Sequence, residues 1–284
     1  MEEELQYIRP KISNMHAGVD SLKLDSHLDK LKTWLSPSDP STNFNAAKEK
    51  RHGGTGEWFI NSAAFNKWKS GSRRHLWLHG LAGCGKTVLT SAILDHLHGN
   101  QTDFCVCLDF FFDFRDKEKQ HLDHLLRSLT YQLYSRCPDS QKELDSLLTL
   151  HEDGRKQPTT ESLSKIIHFM MQRAPRLHII LDALDECTTR RELLNWMKTL
   201  SASEFANVHL IATSRREDEL ESGLSEWIER ENMMAIDSDL VNDDIRSYIK
   251  ARLQNSKEFQ KRWDSKPDVL EEIESVIGEK SHGM

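Results

Sequence analysis

The sequence predicts an α/β fold: a doubly wound parallel sheet flanked by helices, with a helical appendage at the C-terminal end. Two observations carry that expectation. From residue 75 onward, short apolar runs alternate with helix-patterned stretches, the arrangement that builds a parallel sheet covered on both faces. The most apolar run, Leu177-His178-Ile179-Ile180-Leu181, stops abruptly at a cluster of carboxylates, Asp182, Asp185 and Glu186, as a buried strand does when it reaches a ligand-binding edge.

The expected strands are 75–79, 104–112, 177–181, 208–212 and 233–236. Helical stretches are expected near 86–98, 118–136, 141–151, 160–173 and 188–200, with two more over 240–254 and 267–278. Residues 1–50 form an N-terminal helix or linker in this reading, 51–238 the core, and 239–284 the start of a truncated helical domain. Weak periodicity (Ile8, Ile12, Met15, Leu22, Leu28, Leu31) makes 1–33 peripheral. Pro37, Asp39, Pro40, Ser41 and Thr42 make a turn-rich stretch, and Gly53-Gly54-Thr55-Gly56 marks the lead-in to the core. Trp58, Phe59, Phe65 and Trp68 then recur at near-helical spacing.

Composition narrows the function. The 284 residues carry 38 basic against 45 acidic side chains, a net charge of −7 with no long basic run, which argues against nucleic acid as the main partner. The five cysteines are an odd number without repeated spacing, so a disulfide framework is not expected and a reducing compartment is. No eighteen apolar residues run together and the first thirty lack a signal-peptide core, so a cytoplasmic protein without a membrane partner is expected.

The chemistry starts at Gly80-Leu81-Ala82-Gly83-Cys84-Gly85-Lys86-Thr87, which matches G-x-x-x-x-G-K-[ST] between a strand and a helix. Glycines let the backbone curl so that successive N–H groups face phosphate oxygens, and the next helix presents its positive end to the same anion. Gly80, Gly83, Cys84, Gly85, Lys86, Thr87 and Val88 are therefore assigned to the nucleotide, with Cys84 as a spacer. Lys86 is a point charge toward the β- and γ-phosphates, and the Thr87 hydroxyl is a Mg²⁺ ligand. This is a P-loop, and the fold class becomes that of a P-loop NTPase.

Asp182, at the end of its strand, is placed to hold Mg²⁺ directly or through water. Asp185 and Glu186 sit one turn on, where either can orient or deprotonate an attacking water, Glu186 being favoured; the bland alternative is that one of them caps the next helix. Val208 to Ala212 runs out into Thr213-Ser214-Arg215-Arg216, and Arg215 is assigned to the γ-phosphate, against the alternative of pairing with Glu217 or Asp218.

Taken together, the lead-in Gly54-Thr55-Gly56-Glu57-Trp58, the P-loop, the acidic segment Ile179 to Cys187 and the strand ending Thr213-Ser214-Arg215 resemble the NACHT-type NTPases of the STAND class, in particular those of fungal NOD-like receptors. The resemblance covers about 50–284. It implies an ATP/ADP switch of innate-immunity type with Mg²⁺, slow hydrolysis and self-association through the NTPase domain, with effector and sensor domains elsewhere in a full-length chain. It also implies that Gly54 and Thr55 lie against adenine. One departure is Ala183, where the commoner form has glycine. The alternative function is a continuously cycling remodelling ATPase or a kinase, although neither a trans arginine nor an Arg-rich lid is evident. His121 and His124 are read as a solvated helix face, Cys105 and Cys107 as buried small hydrophobes, Phe110, Phe111, Phe112 and Phe114 as sheet core, and Arg115 as solvent-exposed.

Overall fold

The computed structural model describes residues 26–100, 105–236, 242, 244 and 246–248. Helix α1 spans residues 26–35. It is followed by α2 (Ser41–Lys50), α3 (Glu57–Ile60), α4 (Ala63–Ser70), β1 (His75–His79), α5 (Lys86–Gly99) and β2 (Cys105–Phe111). Next come α6 (Leu122–Arg136), α7 (Gln141–Leu150), α8 (Thr160–Arg173), β3 (Arg176–Asp182), α9 (Arg190–Thr199), β4 (Val208–Ser214), α10 (Asp218–Ser225) and β5 (Met233–Ala235). The five strands form one sheet in the order β2-β3-β4-β1-β5, with every neighbouring pair parallel. This is the predicted P-loop α/β architecture. The helix expected over 240–254 is described only at 242, 244 and 246–248, and the one over 267–278 lies outside the described residues.

Strands covered on both faces must be apolar on both, and the alternating residues divide cleanly. Val106, Leu108, Phe110, Leu177, Ile179 and Leu181 join one core cluster, while Cys107, Phe111, Ile180 and Ile211 join the other, beneath α5. The edge strand β2 is closed by α6: Gln132 donates to the Asp109 carbonyl at 2.8 Å and accepts from its amide at 3.1 Å, and Arg136 donates to the Cys107 carbonyl.

Several local details differ from the sequence reading. Residues 26–35 are not peripheral: Leu31 and Leu35 are fully buried in the larger cluster, and the Trp34 indole N–H reaches the Lys156 carbonyl at 2.7 Å. The first of the two cysteines on β2, Cys105, is only half buried, with its sulfur 3.2 Å from His178 Nδ1. Phe114 is 66% exposed, unlike the buried Phe110, Phe111 and Phe112, because the strand has ended before it. Helix α10 went unforeseen; its buried pair Leu220 and Leu224 is too short a stripe to stand out. Strands β3 and β4 also extend beyond their apolar runs, to Asp182 and Ser214, and this extension carries polar side chains into the buried sheet edge.

Candidate nucleotide site

The loop from β1 to α5 takes the shape its glycines permit. Gly83 and Gly85 have φ of 81° and 82°, in the left-handed region that side-chain-bearing residues rarely adopt. A Cβ on Gly85 would meet nothing within 4 Å, so the mouth of the loop is open, whereas one on Gly80 would fall 2.6 Å from Cys84 Sγ. Cys84 is buried and fills the space beneath the loop against Gly80. Lys86 Nζ donates to the carbonyls of Gly80 at 3.0 Å and Leu81 at 2.6 Å, which lays its ammonium across the loop. The first amides of α5 have no carbonyl partner within the helix and, with the helix dipole, favour an anion at that mouth.

Beside the loop, the Asp182 carboxylate is fully enclosed and accepts from three threonine hydroxyls: Thr87 at 2.6 Å, Thr90 at 2.7 Å and Thr213 at 2.6 Å. Burial pushes its pKa upward, and the bonds from Thr213, Thr87 and Thr90, with the charge of Lys86, oppose the shift. Thr213 in turn accepts from the Ala183 amide at 3.1 Å, joining the ends of β3 and β4. Ala183 itself has φ 59° and ψ 52°. A left-handed residue after Asp182 turns the chain sharply away from the sheet, a conformation that glycine adopts without strain and alanine does not.

That turn brings the next two carboxylates back over the loop. Both Asp185 oxygens are engaged by Arg215: Oδ1 accepts from its amide at 2.9 Å, and Oδ2 lies 3.1 Å from Nε. Arg215 therefore pairs with neither Glu217 nor Asp218; Glu217 pairs with Arg190 at 2.6 Å. Glu186 Oε2 accepts from the Phe114 amide at 2.8 Å. Burial raises the Glu186 pKa, the Phe114 bond opposes this, and the neighbouring charges of Asp185, Asp113 and Asp182 raise it further. A carboxylate poised in that way accepts a proton more readily than an ordinary one.

Two adjoining cavities result. One, of about 250 Å³, is lined by Gly83, Gly85, Lys86, Thr87, Val88 and Ala183 together with Asp185, Glu186 and Arg215. The other, about 150 Å³, shares Gly83, Gly85 and Val88 with the first and adds Thr55, Trp58, Leu89 and Ile236. The Gly56 amide at its rim donates to Asp244 Oδ2 at 2.9 Å. Gly54 instead faces a neighbouring open groove with Arg51 and Asp95. The structure thus brings Gly83, Cys84, Gly85, Lys86, Thr87 and Val88 onto the two cavities with Asp185, Glu186 and Arg215, and holds Asp182 against Thr87 beside them. It leaves Gly80 beneath the loop against Cys84, and sets Gly54 aside from the second cavity while keeping Thr55 on it.

The residues present fit a Mg²⁺-nucleotide. An open cradle of amides and Lys86 suits phosphates, the Thr87 hydroxyl and the Asp182 carboxylate are hard oxygen donors side by side, and the apolar wall of Trp58, Val88, Leu89 and Ile236 suits a flat heterocycle. Sequence reasoning missed Thr90, Thr213 and the Phe114 amide. Thr90 could have been found, since it lies three residues after Thr87 on the same helix face. Thr213 and Phe114 needed the strand order.

Phosphate loop, buried acidic strand end and parallel sheet together define a P-loop NTPase. More narrowly, the chain belongs to the family described as nephrocystin 3, N-terminal, whose family model matches residues 54–215. It is also similar to vegetative incompatibility protein HET-E-1 of Podospora anserina, with 25% identity over 206 residues, covering 69% of this chain and 15% of that protein. These two matches bear out the resemblance to NACHT-type NTPases drawn from the motifs. Among solved structures, it overlaps a DNA replication initiation factor (TM-score 0.39, 15% identity, 82% of this chain and 64% of that one). It also overlaps AMPPCP-bound DnaA from Aquifex aeolicus (TM-score 0.38, 16% identity, 83% and 66%). Overlaps that distant add nothing to the fold assignment, which rests on the sheet itself. Among the described residues, no helix is long and apolar enough to cross a membrane.

Proposed function

We propose that the chain is an ATP/ADP-binding molecular switch with slow hydrolysis, the nucleotide-binding part of a larger NOD-like-receptor-type protein that carries effector and sensor domains and works in the cytoplasm. One observation carries this reading. Arg215, Asp185 and Glu186 line the phosphate cavity and also an open outer groove of about 740 Å³, shared with Phe114, Arg190 and Arg191. A group bound at the phosphates and a partner bound in the groove therefore compete for the same side chains, which is the differential contact a two-state switch needs.

The geometry supports the following roles. Lys86 and the loop amides hold the β- and γ-phosphates, and Thr87 and Asp182 hold Mg²⁺, which supplies positive charge to the phosphate oxygens. Thr90 and Thr213 keep the Asp182 carboxylate oriented. Glu186 takes a proton from water on the cavity side, and Asp185 acts by positioning Arg215. The γ-phosphate draws Arg215 away from Asp185 and so alters the charge of the groove, through which a second copy associates. Thr55, Trp58 and Val88 take adenine, with Asp244, from the helical segment after the sheet, at the rim.

Turnover and mass measured together test the reading. A switch purifies with ADP, and on exchange into Mg-ATP it hydrolyses about one equivalent slowly while its mass rises. Many turnovers per minute at constant mass would contradict it.

A further inference from the structure

We propose that Lys119 is a positioning residue for hydrolysis: it clamps the first turn of α2 and the residues just before it onto the loop after β2 and thereby holds the Phe114 amide on the catalytic carboxylate. The inference rests on the assignment of Glu186 as the base. Lys119 is 5% exposed, a depth at which a lysine needs full hydrogen bonding. Its ammonium donates to the Asp39 carbonyl at 2.7 Å, Thr42 Oγ1 at 2.7 Å and Asn43 Oδ1 at 2.5 Å, with Asp116 Oδ2 at 4.0 Å.

The clamp continues without a gap to Glu186. Asn43 Nδ2 donates to Asp113 Oδ2 at 3.0 Å, and Asp113 Oδ1 accepts from the Arg115 amide at 2.9 Å, closing a turn around Phe114. The Asp113 amide donates to the Lys119 carbonyl at 3.1 Å, and Gln120 Nε2 donates to the Phe114 carbonyl at 2.6 Å. The far end of the loop is tied to the acidic segment, where the Thr188 amide donates to the Gln120 carbonyl at 2.8 Å. Phe114 lies inside this closed frame, its ring exposed and its amide on Glu186 Oε2 at 2.8 Å. A surface aromatic whose backbone is so constrained serves the carboxylate and not the core. Release of Lys119 frees the Phe114 amide and lets Glu186 leave the cavity, so movement at residues 39–43 reaches hydrolysis without touching the phosphate cradle.

The test is a mutant cycle on the intact chain, with single-turnover hydrolysis and Mg-ATP affinity measured for Lys119→Met, Asn43→Ala, Glu186→Gln and the double variant Lys119→Met/Glu186→Gln. Lys119→Met is expected to slow hydrolysis about tenfold with affinity within about twofold, Asn43→Ala to slow it to a lesser degree, and Lys119→Met to add no loss once Glu186→Gln is present. If Lys119→Met does not fold, Asn43→Ala and its double with Glu186→Gln carry the same cycle. Unchanged hydrolysis in the Lys119 and Asn43 variants, with Glu186→Gln inactive, overturns the proposal alone, as does a loss that adds in full to that of Glu186→Gln. Wild-type hydrolysis in Glu186→Gln overturns the assignment of Glu186 instead.

Discussion

Arg215 is held by Asp185 at two points, amide to Oδ1 at 2.9 Å and Nε to Oδ2 at 3.1 Å, while its side chain stays half exposed over the phosphate cavity. A buried carboxylate and a half-exposed guanidinium make an asymmetric pair: Asp185 is fixed, and Arg215 is the partner able to turn toward another anion. In the proposed switch the γ-phosphate is that anion. Arg215→Ala is therefore expected to lower the preference for ATP over ADP about tenfold, the value of one charge-assisted hydrogen bond, with ADP affinity little changed. Asp185→Asn moves the preference the other way. Competitive titration of ATP and ADP checks both, and an unchanged ratio in both variants removes the γ-phosphate role.

Ala183 occupies the left-handed region immediately after Asp182, at φ 59°. That conformation costs a non-glycine residue about 1–2 kcal/mol, and glycine returns part of the gain through its larger unfolded-state entropy. Ala183→Gly is expected to raise stability by up to about 1 kcal/mol with nucleotide affinity unchanged, as read by urea unfolding and titration. A loss of stability would mean that the Ala183 methyl packs usefully despite the backbone.

Asp109, buried on β2, gives the fold a pH dependence. Burial pushes its pKa up to about 6, against the pull of Arg136. A carboxyl whose folded pKa lies above its unfolded value binds more protons in the folded state, so stability falls as pH rises from about 4 to about 6 and the full penalty holds above that. The penalty is on the order of 3 kcal/mol. Asp109→Asn should remove it: relative to wild type, the variant gains stability between pH 4 and pH 7, as followed by denaturant unfolding at each pH. A constant difference across that range would show that the Asp109 carboxylate is already charged in the fold at pH 4.

The sheet and the phosphate loop were legible because their signals are local. Apolar β-branched runs spaced by helical stretches fix the parallel architecture, and G-x-x-x-x-G-K-[ST] fixes eight consecutive residues. What stayed hidden depends on strand order. Thr213 serves Asp182 because β3 and β4 are neighbours with Leu181 opposite Ala212, so that the next residues of the two strands meet. Phe114 reaches Glu186 because β2 lies beside β3, with Phe111 opposite Asp182. The burial of α1 was missed for a different reason: Leu31, Trp34 and Leu35 make one apolar face of a short helix whose preceding residues show no clear period.

Binding of Mg-ATP by Lys86→Ala, measured by calorimetric titration beside wild type, tests the phosphate loop most directly. Lys86 supplies the side-chain ammonium across the cradle, and its removal leaves the loop itself with only amides and a helix end, Arg215 standing on the far side of the cavity. The expected result is a loss of affinity of at least about tenfold with the circular dichroism spectrum unchanged. Wild-type affinity in Lys86→Ala would mean that residues 80–87 do not hold the phosphates.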